Sequence, residues 1–113
     1  MVQKENNDYI MRQIEQLGIV LRRLLEKLNL GKSAAAEVVR EASEAQGTLL
    51  GRQAAVARQV DAKTAVRIIG DPRKVKMWIG FLRIEATAHR LRGDGDQANS
   101  LETRANAIEQ ASN

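Results

Sequence analysis

The most regular pattern in the chain is an apolar stripe over residues 10–28. Six aliphatic side chains recur there at spacings of four and three residues: Ile10, Ile14, Leu17, Leu21, Leu24 and Leu28. Such spacing places side chains on one face of an α-helix. Met11, Val20 and Leu25 make the stripe wider than a coiled-coil seam. We therefore expect more than one partner helix to cover this face, with Leu21 nearly fully buried.

The segments that flank this stripe are polar or rich in small residues. Residues 1–7 lack periodicity, which predicts a loose tail before a single helical domain over residues 8–113. After the helix stop at Gly31, Ser33 is suited to cap a second helix from Ala34 to about Gln46. The inner positions of that helix are small: Ala35, Val38, Ala42 and Ala45. Gly47 is expected to end it, and the sequence leaves the fold of residues 32–60 least defined.

The C-terminal half carries clearer start and stop signals. Asp61 is expected to cap a short helix, Ala62 to Ile69, and Asp71-Pro72 marks the start of a long one that runs to about Arg92. Gly93 ends that helix, and Asp96 is expected to cap the last one, whose stripe is Ala98, Leu101, Ala105 and Ile108. The pattern predicts an all-α bundle of four to five helices that ends in an antiparallel hairpin.

Two stretches resemble known helical proteins. The opening Asp8-Tyr9-Ile10-Met11-Arg12-Gln13-Ile14 resembles that of a family of small uncharacterised bacterial helical proteins, and so do Ile69-Gly70-Asp71-Pro72 and the segment from Glu85 to Ala105. The latter segment, with its small residues and Gly-Asp turn, is also similar to a tetratricopeptide (TPR) hairpin. The resemblance covers about half of the chain. It implies an all-helical interaction module and supplies no catalytic site.

The amino-acid composition excludes several kinds of catalytic and metal site. The 113 residues include no cysteine, one histidine and 3% aromatic residues. A chain without cysteine has no disulfide, no thiolate nucleophile and no cysteine-ligated metal, and one histidine excludes a multi-histidine metal site within the chain. We therefore expect no cofactor and no metal. The longest apolar run is far shorter than a membrane helix needs, so we also expect no membrane span and a cytoplasmic location.

The net charge of +4 is unevenly distributed. Residues 61–92 hold eight basic and three acidic side chains, whereas residues 93–113 hold one and four. In the long helix, Lys76, Arg83 and Arg90 fall on one stripe, and almost all other positions are apolar. This stripe, here called the basic ribbon, is expected to be exposed and to keep an otherwise buried helix soluble. The alternative is a surface for phosphates or an acidic partner.

Three further features each have a functional and a structural interpretation. Glu85 lies in the middle of the apolar arc of the long helix, near Phe81, and His89 follows one turn later. The pair is expected to be a buried polar contact rather than an acid–base pair, since no nucleophile accompanies it.

Gly31-Lys32-Ser33 lacks the upstream glycine of a phosphate-binding loop. Ile19, exposed among polar residues of the first helix, is a possible dimer contact.

These observations favour a non-enzymatic interaction or scaffold module that self-associates as a homodimer. The first helix and the long helix each have a wide apolar surface that must be buried, whereas the other helices present mainly small side chains. One chain therefore offers too little apolar surface to cover both helices. The alternative is a nucleic-acid-binding protein that uses the basic segment 61–92. An apolar circumference and few aromatic residues argue against that alternative.

Overall fold

The protein is described from a computed structural model, which defines the backbone of residues 2–113 and the side chains of residues 7–113. All regular structure in these residues is helical, which confirms the all-α prediction. Five α-helices have eight or more residues, and a sixth, α3, has a single turn and follows a 3₁₀ turn at Gly51–Gln53. The helices are α1 (Val2–Leu28), α2 (Lys32–Leu50), α3 (Ala54–Gln59), α4 (Ala62–Ile69), α5 (Pro72–Leu91) and α6 (Gly95–Ser112).

Several helix boundaries differ from the sequence predictions, including these three. First, α1 begins at Val2, so the residues expected to form a loose tail belong to its first turns, where no glycine or proline interrupts the helix. Second, α2 continues through Gly47 to Leu50, and Gly51 at its C-cap has a φ of 56°, with which a right-handed α-helix does not continue. Burial of Leu49 and Leu50 at the end of α2 explains this extension.

Third, α6 begins at Gly95 with Asp94 at the N-cap, and the predicted cap Asp96 lies in its first turn. Gly93, with a φ of 84°, reverses the chain within a few residues, so α6 begins earlier than expected. The resulting α5–α6 pair is the expected antiparallel hairpin. The N-caps of α4 and α5 match the predictions: Asp61 accepts a hydrogen bond from the Thr64 amide and Asp71 from that of Arg73.

Helix α5 occupies the centre of the molecule and packs against α1, α2 and α6. Phe81 is fully buried, as expected, in a core whose other large members include Trp78, Leu24, Leu49 and Ile108. Leu21 is half-buried, so the prediction of full burial is wrong for this residue. It lies over Gly80, where an added Cβ would come within 3.5 Å of both Leu21 methyl groups. Such a Cβ would make ordinary van der Waals contact, so α1 and α5 pack at normal distance here. Within the described residues, the outer side of Leu21 is left partly uncovered.

We expect Phe81→Ala to lower the free energy of unfolding by about 3–5 kcal/mol, because the surrounding helices cannot collapse onto the lost ring. Leu91→Ala, on the same helix at a position 38% exposed, is the matched control and should cost no more than about 1 kcal/mol. Urea unfolding measures both. Equal losses would show that the central position of α5 is wrong.

The carboxylate of Asp71 both caps α5 and forms an ion pair with Arg73 at 2.8 Å. The hydrogen bond from the Arg73 side chain holds the pKa of Asp71 below its ordinary value, and the hydrogen bond from the Arg73 amide acts in the same direction. A carboxylate with a lowered pKa in the folded state stabilises the fold above its unfolded pKa of about 3.9. That stabilisation is lost as the pH falls through the folded-state pKa.

Asp71→Asn keeps a capping oxygen but removes the charge, so it should destabilise the fold by about 0.3–1 kcal/mol at neutral pH. The difference from wild type should shrink progressively as the pH falls from about 4 through the lowered folded-state pKa of Asp71, because protonation then removes the charge from the wild type as well. Urea unfolding across that pH range measures it. A difference that stayed constant down to the most acidic folded condition would contradict a role for the Asp71 charge.

Candidate functional site

The three side chains of the basic ribbon are all exposed, as the sequence predicts. Two of them are nevertheless engaged by α6. Arg83 binds Glu109 through two hydrogen bonds of 3.0 and 3.2 Å, and Arg90 forms an ion pair with Glu102 at 2.9 Å. Hydrogen bonding to Arg83 lowers the pKa of Glu109. The ribbon therefore has acidic neighbours on α6. The sequence of α5 alone cannot predict them, because they belong to the following helix.

Glu85 and His89 lie together and are mostly buried, with side chains 14% and 12% exposed. Their closest approach, Glu85 Oε2 to His89 Nε2, is 3.9 Å, which is beyond hydrogen-bond distance. The other ring nitrogen of His89 is 3.5 Å from Asp94 Oδ2. The two side chains are thus neighbours without a hydrogen bond between them, and the hydrogen bond that holds Glu85 comes from another helix.

That partner is Gln46 of α2, which is 2% exposed and the one polar residue counted among the buried ones in the described chain. The indole Nε1 of Trp78 donates to Gln46 Oε1 at 3.2 Å, and Gln46 Nε2 donates to Glu85 Oε1 at 2.7 Å. Because an indole can only donate, it determines which end of the amide faces Glu85. Sequence reasoning missed Gln46, although it falls on the helical stripe of Ala42 and Leu49.

A cavity of about 360 Å³ lies beside this network, between α2, α3, α5 and α6. Trp78, Leu82 and Glu85 line it from α5, and Arg104 lines it from α6. Two Nη2 hydrogen bonds, of 2.6 and 2.7 Å, join Arg104 to the carbonyl oxygens of Ala57 and Val60 at the end of α3. The Arg104 guanidinium also lies 5.9 Å from the centre of the Trp78 ring, within cation–π range.

A second concave region lies on the opposite face of α5, between α1 and α5, and is here called the α1–α5 groove. It consists of two adjoining cavities of about 210 and 480 Å³ that share Leu21, Gly80 and Arg83. The other apolar side chains along the groove are Ile14, Leu25, Leu28, Met77, Ile79 and Ile84. This surface is mostly hydrocarbon, and it follows the outer side of the half-buried Leu21.

Exposed apolar residues continue from the groove along α1. Leu25 is 49% and Met11 45% exposed, and Gly18 lies midway between them in the sequence. Ile19 is 57% exposed, as expected, but it lies on the far side of α1, more than 100° around the helix from Leu25 at about 100° per residue. The structure therefore separates Ile19 from the apolar surface that α1 shares with α5.

The remaining sequence features carry no site geometry. Gly31 does not itself end α1, which ends at Leu28; with a φ of 73°, it lies three residues later, at the N-cap position of α2. Ser33 is already inside α2, and its hydroxyl donates to the Leu30 carbonyl, so the prediction that it caps the helix is wrong. Within the described residues, no group of three or more histidine, aspartate and glutamate side chains is placed to hold a metal ion. In the part of the chain that the structure describes, no helix is both long and apolar enough to cross a membrane.

Comparison with protein-family models, with curated proteins and with solved structures finds no match to this chain.

The Trp78–Gln46–Glu85 network gives a direct prediction about stability. Gln46→Met keeps the length of the side chain but leaves the buried indole N–H and the Glu85 carboxylate without their partner. It should lower the free energy of unfolding by about 1–3 kcal/mol. Gln97→Met, at an exposed position beside the same cavity, should change it by less than about 0.5 kcal/mol.

A double variant tests the cause. When Trp78→Phe removes the indole N–H, Gln46→Met should cost less than it does in the wild-type background. Urea unfolding of the four chains measures the coupling. Strict additivity would contradict the hydrogen bond between the two side chains.

Proposed function

We propose that this protein is a non-enzymatic interaction module that self-associates through the α1–α5 groove, with a second copy of the chain as occupant. The apolar groove around Leu21 is the observation that carries the proposal. The likeness of the α5–α6 hairpin to a TPR unit, a bacterial origin for the family and action in the cytoplasm are parts of the same proposal.

The row Met11, Gly18, Leu25 on α1 favours a symmetric, antiparallel contact. Its members are seven residues apart and lie close together around the helix. If two copies of α1 cross antiparallel at Gly18, Met11 of each copy lies opposite Leu25 of the other. Such reciprocity is what a two-fold interface requires. At about 1.5 Å per residue, the row from Met11 to Leu25 spans roughly 21 Å along α1.

Charges beside this row suit the same arrangement. Glu15 and Arg22 are both exposed, and neither forms an ion pair with another described side chain. They lie on opposite sides of Gly18 in the sequence, so the antiparallel crossing brings Glu15 of one copy near Arg22 of the other. Opposite charges at these positions favour a second copy in this orientation.

Gly18 itself supports a close contact between copies. A glycine inside a helix costs about 1 kcal/mol relative to alanine. An added Cβ at Gly18 would meet no atom within 4 Å in the single chain. Packing within one chain therefore does not require the glycine, whereas close approach of a second α1 would.

Light scattering at tens of micromolar should give about 25 kDa for the wild type, twice the chain mass of 12.5 kDa. Leu25→Gln should shift the mass towards a single chain, because it places an amide in the apolar contact. Ile19→Gln, a change of similar size on the other side of α1, should leave the dimer intact. A wild type that stays at the mass of one chain would overturn the proposal, and so would dissociation by Ile19→Gln alone.

Charge reversal tests the orientation separately. Glu15→Arg or Arg22→Glu alone should weaken the dimer, since each sets like charges against one another, and the double variant should restore it. Absence of restoration would contradict the antiparallel crossing.

Nucleic-acid binding by segment 61–92 remains the alternative, with less support. It would require the basic ribbon to meet phosphates, but Arg83 and Arg90 already contact carboxylates of α6. Their release would offset part of the electrostatic gain.

A further inference from the structure

We propose that the cavity between α2, α3, α5 and α6 binds a small free zwitterion that carries an ammonium and a carboxylate group, as an α-amino acid does. This inference is independent of self-association, because the cavity and the α1–α5 groove lie on opposite faces of α5.

The anionic end of the site is Glu85. The buried amide of Gln46 donates to Oε1, and the buried indole of Trp78 determines the orientation of that amide. The carboxylate is thus held in one position by groups that are themselves almost fully enclosed. Its second oxygen has no hydrogen-bond donor among the described side chains, and the nearest basic nitrogen, on His89, is 3.9 Å away. A carboxylate 14% exposed that accepts one hydrogen bond has unused capacity. An ammonium group can fill it.

The cationic end is formed by Arg58 and Arg104, which line the same cavity. Arg58 is exposed, and no ion pair between described side chains includes it. Arg104 is half-buried and held in place by the Ala57 and Val60 carbonyls, which occupy Nη2 only. Its other guanidinium N–H groups have no hydrogen-bond acceptor in the described chain. A carboxylate is the complement of such a fork.

The presence of both signs in one cavity selects the ligand class. An anion alone would leave Glu85 unmatched beside it, and an amine alone would meet two arginines. A zwitterion satisfies both ends, and its side chain can contact Leu82 and Leu101, which also line the cavity. A volume of about 360 Å³ is at the small end of ligand sites, so it suits a molecule of amino-acid size rather than a nucleotide.

Isothermal titration calorimetry with the full chain tests the assignment. Each standard amino acid is titrated alone at millimolar concentration, and the best binder is compared with two derivatives. The N-acetyl form lacks the ammonium, and the corresponding amine lacks the carboxylate. We expect saturable binding of at least one amino acid and at least tenfold weaker binding of both derivatives. Absence of binding by every amino acid overturns the proposal, and so does equal binding of either derivative.

Variants then locate the site. Glu85→Gln preserves shape and the contact with Gln46, so the chain should stay folded while affinity falls at least tenfold. Arg58→Gln should have a similar effect from the other end. Glu44→Gln on α2 and Arg52→Gln beside α3 are exposed controls outside the cavity and should bind as wild type does. Wild-type affinity in Glu85→Gln, or an equal loss in the controls, would overturn the assignment.

Discussion

Burial of α5 is the constraint on which the rest of the structure depends. Eight of its twenty residues are buried, including Trp78 and Phe81, and the exposed positions include the basic ribbon. One helix cannot cover such a circumference, so α2 and α6 pack along it and α1 approaches over Gly80. The small side chains of α2 and α6, such as Ala42 and Ala105, follow from the same demand, because they let these helices approach closely.

Incomplete coverage of α5 produces the two surfaces of interest. On one side, α2, α3 and α6 leave a cavity where Trp78 and Glu85 need a polar partner, and Gln46 supplies it from within the core. On the other side, α1 covers α5 with a half-buried Leu21 and leaves the apolar α1–α5 groove. The first surface has fixed charges of both signs and the second has mostly hydrocarbon. We therefore propose a small polar ligand for one and a second copy of the chain for the other.

Local signals in the sequence predict the elements well where start and stop residues are explicit. Asp61 and Asp71-Pro72 locate α4 and the start of α5, because capping depends on neighbouring residues alone. The prediction that Gly47 ends α2 is wrong, since a glycine ends a helix only when the backbone turns there. Burial of Leu49 favours continuation of α2 beyond Gly47. The exposure of Arg83 and Arg90 is predictable from the helical wheel of α5. Their pairing with Glu109 and Glu102 is not, because it depends on how α6 is aligned against α5.

The same limit explains the candidate sites. Glu85 is recognisable as a polar residue on an apolar face, but its partner Gln46 is 39 residues away. Leu21 was expected in the core because its stripe is continuous, and periodicity alone cannot show how much covering surface the other helices supply. The mismatch between apolar demand and small covering faces, which is visible in the sequence, is nevertheless the reason to expect an uncovered apolar face on the first helix or the long helix.

The most direct test of the central claim is disulfide trapping between Met11 of one copy and Leu25 of the other. The chain has no cysteine, so Met11→Cys with Leu25→Cys introduces thiols only at the two positions that the antiparallel crossing sets opposite each other, and Gly18 stays in place. Met11→Cys with Ile19→Cys, whose second thiol lies on the other side of α1, is the matched control. Under mild oxidation at tens of micromolar, the account predicts rapid formation of a covalent dimer by the Met11–Leu25 variant and little by the control. Equal, slow crosslinking of the two variants would contradict a close approach of α1 to its copy.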